Sequence, residues 1–414
     1  MEKIRAKGVL ATIMLLSLMG TAGIALPYPL LSPYFLNSSG EPLTQFLALD
    51  PKLLLGITLA TYPLGLLFGS NIIGSLSDRF GRKKVLLYSL AGSVLGYLLT
   101  GFAVYKGSFT AFIFARFLTG FCEGNMSIAR AIAVELHPVI DRKKALSLLY
   151  AAVYGGWLIG PLAGGYLAPL GVEAAFYAAG AAVLFSTLLV ILVLPQTPVQ
   201  KLSQSTLWQE IIQNHSATLL LRKDIRQFFV YYFLYTLGIN AFYEFYPLWL
   251  ADIQEFGSKQ IAWMTVAITS LMILVSTTIA DKLPTKLGEK RALLGGNFIF
   301  ALLIVTSTLS SGNSVYIFLA LTGAVIAVIN MVFPAMLSEY FGHLGQGKVM
   351  GLQMSVFCFT NVIIALAGSL VAIISTTLTM WLAAALILVS VFFFVQPERE
   401  EQPENALVAT ENSY

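Results

Sequence analysis

Charge is what this chain has least of. Only 11% of its 414 residues are Asp, Glu, Lys or Arg, whereas 57% are hydrophobic, a balance too apolar for a water-soluble domain of ordinary composition. Cysteine is scarce too: Cys122 and Cys358 lie far apart, each inside a long apolar run. That excludes a disulfide framework and suits small packing residues. The three histidines, His137, His215 and His343, all fall in polar connecting segments, so neither a histidine metal site nor a histidine proton relay is available within the apolar runs. A Gly-rich loop ending in Lys-Ser or Lys-Thr is missing, which removes ATP drive within this chain. No nucleophile with a base and no metal-ligand cluster appears in the runs, so neither an enzyme nor any cofactor or metal is expected.

What is there instead is hydrophobic length. Twelve apolar runs cover residues 8–35, 50–74, 84–104, 111–135, 145–168, 172–194, 226–250, 259–281, 292–311, 314–338, 348–374 and 377–396. Each has about 20 residues or more, enough to cross ~30 Å of bilayer core as a helix. The stretch Gly74-Ser75-Leu76-Ser77-Asp78-Arg79-Phe80-Gly81-Arg82-Lys83-Lys84 sits between two of them. Four cations and a carboxylate cannot lie in hydrocarbon, so it reads as a tight polar hairpin at the membrane surface.

The distribution of cations sets the orientation. Of 25 Lys and Arg, Lys52, Lys106 and Lys259 fall in loops on one side, Arg116 and Arg130 lie within a span, and the other 20 share the side of the N-terminus. Positive charge stays cytoplasmic, which puts both termini and the hairpin inside. The net charge of +4 is thereby a signal of topology, with no nucleic-acid partner implied. Lys3, Arg5 and Lys7 before an apolar run imitate a signal peptide, but the run is too long and is read as the first span. Asn37-Ser38-Ser39 matches a glycosylation sequon and is given no weight.

The two halves echo each other. Asp78 is answered by Asp281 at an offset of 203, Glu135 by Glu339 at 204, and Leu118-Thr119-Gly120 by Leu321-Thr322-Gly323 at 203. Parallel six-helix repeats of this kind place a substrate site at the midplane between the halves. The fold class expected is an all-α membrane protein of twelve transmembrane helices in two six-helix bundles. The bundles span residues 1–194 and 226–396, joined by a cytoplasmic linker over 195–225 and followed by a disordered acidic tail over 397–414. In the linker, Leu207, Trp208, Ile211, Ile212 and Leu219 to Leu221 suggest a short amphipathic helix at the membrane surface.

The hairpin resembles the G-x-L-x-D-R-x-G-R-[RK]-[RK] signature of the major facilitator superfamily at every specified position. In the fifth span, Gly156-Trp157-Leu158-Ile159-Gly160-Pro161-Leu162-Ala163-Gly164-Gly165 is similar to the G-x-x-x-G-P-x-x-G-G signature of the twelve-span drug:proton antiporters. Arg116 to Gly120 resembles the R-x-x-x-G start of their third motif. The resemblance covers all twelve spans. It implies the major facilitator fold, a monomer in a bacterial inner membrane, a small-molecule substrate and protons as the coupling ion. It also implies a role in proton transfer for Arg116, and a charge relay between Glu135 and the hairpin arginine that acts as a latch on one conformational state.

Elementary chemistry gives these residues their tasks. Gly74 and Gly81 permit a tight turn, and Asp78 is placed to pair with Arg79 or Arg82 or to accept from a neighbouring helix N-terminus. Gly156, Gly160 and Gly164 make a smooth helix face beside the kink allowed by Pro161, expected to form a close seam between the halves. Arg116, Glu123 and Arg130 are seven residues apart, which returns nearly the same helix face every two turns and stacks the three charges along ~20 Å. Charges at that depth must face the interior or a wet cavity. Glu123 is read as a proton-accepting or ligand-facing group and Arg130 as an anion partner. The seventh span carries Glu244, with Asn240 one turn before it and Tyr232 and Tyr235 further back. Glu244 is read as facing a cavity, or else as snorkelling to water, and Tyr246 and Trp249 as interfacial anchors.

The first span has no acid, unlike many drug antiporters, and shows Tyr28 among prolines. Proton coupling then falls to Glu123 and Glu244. Asn330, Gln353 and Asn361 are candidates for neutral hydrogen bonds to substrate from the other half. Two arginines against one acid in the N-terminal half favour an anionic or zwitterionic substrate over a cationic one. The function expected is a proton-coupled secondary transporter working by alternating access and exporting a small organic compound. The alternatives are a proton symporter importing an amino acid, carboxylate metabolite or carboxylate siderophore, and, in another class, a non-transporting membrane sensor.

Overall fold

A computed structural model describes residues 2–37, 41–196, 216–279, 282–344 and 346–394. Helices dominate, and no strand occurs among the described residues; in hydrocarbon a helix satisfies its own backbone without a partner. The elements are α1 (Glu2–Ala25), α2 (Tyr28–Asn37), α3 (Pro51–Phe80), α4 (Arg82–Lys106), α5 (Phe109–Cys122), α6 (Met126–Glu135), α7 (Arg142–Leu167) and α8 (Val172–Val193). After residues 197–215, which lie outside the description, come α9 (Lys223–Ile253), α10 (Ser258–Thr278), α11 (Lys282–Leu287), α12 (Glu289–Leu309), α13 (Asn313–Phe341), α14 (Gln346–Ile374) and α15 (Thr376–Phe392).

Among the described residues, nine helices are long and apolar enough to cross a bilayer, with α1 and α2 counted as one. The three other expected runs are also helical, for separate reasons. The run over 111–135 is broken into α5 and α6 by a 3-10 turn at Glu123–Asn125. The run over 226–250 lies on α9, whose apolar character is diluted by tyrosines, Asn240 and Glu244. The last run forms a helix of only 17 residues, Thr376–Phe392.

Buried apolar side chains gather into two clusters. One runs from Ile225 to Ile387, and the other from Val9 to Leu194 with Phe245, Leu248, Ala365 and Ala372 added from the second half. The repeat is structural as well as sequential. A Cβ on Gly120 would strike the backbone carbonyl of Tyr62 on α3, and one on Gly323 would strike that of Ile268 on α10. Thr119 and Thr322 beside them are both fully buried and return their hydroxyls to carbonyls of their own helices. Glu339 lies exposed near the end of α13. Asp281, linker residues Leu207, Trp208, Ile211 and Ile212, Ser38 and Ser39 of the sequon, and the 397–414 tail lie outside the described residues.

The hairpin closes around one arginine. Gly81 adopts φ +94 between α3 and α4, a conformation open to glycine at little cost. Arg82 then points back to pair with Asp78, donates to Ser77 Oγ at 2.7 Å, and reaches Glu135 at the end of α6 at 3.0 Å through both Nε and Nη2. Arg79 takes no part: its guanidinium lies over the Phe80 ring. Lys83 donates to the carbonyls of Ile191 and Leu194, capping the end of α8 with a cation.

At the face opposite the hairpin, the two bundles meet closely. Lys52 at the start of α3 pairs with Asp252 at the end of α9 at 3.0 Å, and Thr376 donates to the same carboxylate oxygen at 2.8 Å. Gly56 lets α3 press on Ala365 and Ser369 of α14, and Gly165 admits Ala262 of α10, whose Cβ would lie 2.5 Å from a Cβ at 165. Lys259 rests over the Tyr166 ring at 4.7 Å. The glycine stripe of α7 differs from expectation. A Cβ on Gly156 would meet the Leu18 carbonyl at 2.6 Å, one on Gly160 the Ala22 carbonyl at 2.5 Å, and one on Gly164 the Leu26 carbonyl. The stripe therefore packs α7 onto α1 of its own bundle. Only Gly165, turned 100° further round the helix, looks across to the second bundle.

Candidate functional site

Two buried carboxylates define the interior, and each is placed by a local feature of the chain. Glu123 opens the 3-10 turn that divides the fourth span, where Gly124 presses so tightly on the Gly69–Ser70 backbone of α3 that no side chain fits. Its Oε2 accepts from the Tyr62 hydroxyl at 2.5 Å, and Oε1 is buried without a partner. Arg116 is 4% exposed and lies between rings, 4.9 Å from the Tyr62 centroid and 5.6 Å from that of Phe176. Its Nε and Nη1 carry no hydrogen bond. The guanidinium is thus held by cation–π attraction, which is stronger away from water.

A 3-10 turn interrupts the helix on which the three charges were expected to stack. Seven-residue spacing returns a side chain to the same face only on a continuous α-helix, and the turn at Glu123–Asn125 interrupts it. Arg116 and Glu123 share Tyr62 rather than an ion pair, and Arg116 also acts electrostatically on Tyr28 and, across the bundles, on Glu244. Arg130 is half-buried on α6 and acts electrostatically on Cys358 of α14, in the other bundle.

Glu244 sits between the bundles at 2% exposure, which overturns the snorkelling alternative. Its Oε1 accepts from Tyr28 of α2 at 3.1 Å and from Asn361 of α14 at 2.9 Å, while Oε2 is buried and unpaired. Tyr28 comes from the first half and Asn361 from the second, so this carboxylate is bonded by both. Tyr28 also meets the Trp157 ring edge-on at 5.7 Å.

The remaining candidates divide. Asn240 is fully buried and donates to the Phe357 carbonyl and Thr360 Oγ1, both at 3.1 Å, fastening α9 to α14. Tyr232 stacks on Phe333 at 4.3 Å and turns its hydroxyl to Gln353. The Tyr235 hydroxyl is buried and unpaired. Asn330 is exposed beside Tyr243, and Tyr243 interacts across the bundles with Tyr154. Tyr246 and Trp249 are not interfacial: they are 4% and 0% exposed and bond Thr265 and Thr377 at 2.6 and 3.2 Å. Their rings fill the C-terminal bundle because α9 is enclosed by its neighbours on nearly every side.

Sequence reasoning missed Tyr62, Tyr97, Ser93 and Asn125 around Glu123, and the Lys52–Asp252 pair. One signal was available for the first: Tyr62 stands in the middle of an aliphatic run, away from the interfacial levels where tyrosine is at home.

A helical membrane protein of two matched bundles, with carboxylates buried within and between them, has the design of a secondary transporter. The model of the Major Facilitator Superfamily matches residues 10–286 and 228–412, and the chain belongs to that family. Multidrug resistance protein 2 of Bacillus subtilis is 25% identical over 319 residues, 74% of this chain and 77% of that protein. The class H tetracycline resistance protein of Pasteurella multocida is 24% identical over 372 residues, 88% of this chain and 85% of that protein. Among solved structures, the human organic anion transporter MFSD10 (TETRAN) superposes with a TM-score of 0.70 at 19% identity, over 94% of this chain and 99% of that one. The protein is a multi-pass membrane transporter of small molecules, not an enzyme.

Proposed function

We propose that the protein is a proton-coupled exporter of small organic compounds, working by alternating access, with the hairpin and both termini on the cytoplasmic side of a bacterial inner membrane. The observation that carries this reading is Glu244, a carboxylate buried between the bundles and held by Tyr28 from one half and Asn361 from the other. When the bundles rock apart at the face opposite the hairpin, the Tyr28 bond breaks and water reaches the carboxylate. Its protonation is then tied to conformation, which is what coupling requires. Glu123 offers a second proton site within the N-terminal bundle, with Arg116 adjusting its surroundings through their shared Tyr62.

The names of the relatives support export of drug-like molecules. Arg130, half-buried between the halves and without a hydrogen bond or ion pair among the described residues, favours a substrate bearing negative charge, anionic or zwitterionic. Asn330, Gln353 and Tyr232 of the second bundle are the neutral groups proposed to contact the substrate.

Proteoliposomes with an acidic lumen provide the test. A panel of organic anions and zwitterions, tetracycline included, is added outside, and lumenal pH is followed by an entrapped dye. Antiport predicts that a transported compound enters and the lumen alkalinises, with both effects lost in Glu244→Gln. Compound accumulation that runs with the proton instead of against it refutes export and establishes symport.

A further inference from the structure

Glu123 has one oxygen taken by Tyr62 and one left over, Oε1, buried without a partner. Three more polar atoms nearby share that condition, the Tyr97 hydroxyl and Ser93 Oγ of α4 and Asn125 Nδ2 of the 3-10 turn; the Tyr97 hydroxyl faces the same carboxylate, whereas Ser93 and Asn125 line the space beside it. Glu123, Ser93 and Asn125 are 7%, 0% and 8% exposed. All three line a single space of about 20 Å³ in the N-terminal bundle, together with Leu16 and Gly20 of α1 and Val183 of α8. Buried polar groups find partners, and three of them left over around one void point to something that belongs there. A polar void needs only about 10–15 Å³ for one water, and a buried water takes two to four hydrogen bonds. Donor and acceptor types match: an amide N–H, a carboxylate oxygen and a hydroxyl able to act either way.

We infer that this space is a water site, in which one water donates to Glu123 Oε1, accepts from Asn125 Nδ2 and shares a hydrogen bond with Ser93 Oγ. The inference rests on the proposal that Glu123 carries a proton, and it specifies where that proton is held. A hydronium in the site gives its proton to Oε1, leaving a neutral acid and a neutral water. The titratable and charged groups facing Glu123 are Tyr62 of α3, Tyr97 of α4, and Arg116 and Cys122 of α5; α1 and α8 bring only apolar and hydroxyl groups to the space. Glu244 lies outside it, between the bundles. Glu123 is thereby a proton site separate from Glu244, within one bundle rather than between the two.

Infrared difference spectra of the purified protein, recorded between two pH values without substrate or gradient, test this. A carboxylic acid C=O band is expected that disappears in Glu123→Gln and persists in Glu244→Gln. It shifts upward in frequency in Ser93→Ala, which removes one ligand of the water, and in Ala129→Leu, which fills the space from α6. A Glu123 band that ignores both substitutions overturns the water site while leaving Glu123 as the proton carrier. No Glu123-dependent band, with pH-driven transport intact in Glu123→Gln, overturns the carrier assignment itself. Thermal stabilisation by sodium chloride over choline chloride, lost in Glu123→Gln, makes this a cation site and also overturns the inference.

Discussion

Breaking the Lys52–Asp252 pair should loosen the face opposite the hairpin by a calculable amount. The two side chains are 19% and 28% exposed and 3.0 Å apart, and Thr376 donates to the same carboxylate. An exposed pair is worth about 0.2–1 kcal/mol, and a hydrogen bond to a charged group about 1.5–3 kcal/mol. Partial burial puts this one between, at about 1–2 kcal/mol. That changes the ratio of closed to open states by roughly 5- to 30-fold. The perturbation is Lys52→Glu, which replaces attraction with repulsion, and the control is the double exchange Lys52→Asp with Asp252→Lys. A reporter cysteine replaces Ala262, fully buried where α10 meets Gly165, in a background of Cys122→Ala and Cys358→Ala. Labelling by a membrane-impermeant maleimide should quicken by the same factor in Lys52→Glu and return toward the parent rate in the exchange. Because the pair is partly exposed, high salt should reproduce part of the effect in the parent. Equal labelling in parent and Lys52→Glu, or identical rates in the single and double variants, would show that the pair does not hold this face shut.

Three further outcomes follow from the packing and the charges. Gly160→Ala sets a Cβ 2.5 Å from the Ala22 carbonyl within one bundle and should lower thermal stability by about 1–3 kcal/mol, whereas Gly165→Ala, at the junction of bundles, should speed labelling at Ala262→Cys with little loss of stability. Arg82→Lys keeps the charge but loses the planar fork that reaches Asp78, Ser77 and Glu135 together; vesicle transport should fall at least tenfold with unchanged membrane yield, and full activity would mean that positive charge alone is enough. Glu244→Gln should abolish transport driven by a pH gradient while sparing substrate-for-substrate exchange, because an amide still bonds its neighbours and cannot carry the proton.

Hydrophobic length, cation placement and the duplicated motifs were local properties, and local properties survive folding. A run of about 20 apolar residues has few options in a bilayer but to cross it as a helix, so each of the twelve expected runs falls on helical structure. The Arg82–Glu135 contact was legible only through the resemblance of the hairpin and the fourth span to a known family. The acids Glu123 and Glu244 stood out for their cost in hydrocarbon.

What folding alone decided was direction. Spacing of seven placed Arg116, Glu123 and Arg130 on one face, but a 3-10 turn at Glu123–Asn125, where Gly124 lies against α3, interrupts the span, and Arg130 acts on Cys358 of the other bundle. Glycines four apart marked a smooth face on α7 without saying which helix would use it, and α1 does. The partners Tyr62, Tyr28 and Asn361 lie 61, 216 and 117 residues from the acids they bind. Nothing in a linear chain records such separations. They are set by packing within each bundle for Tyr62 and Asn361, and by the closing of one bundle against the other for Tyr28.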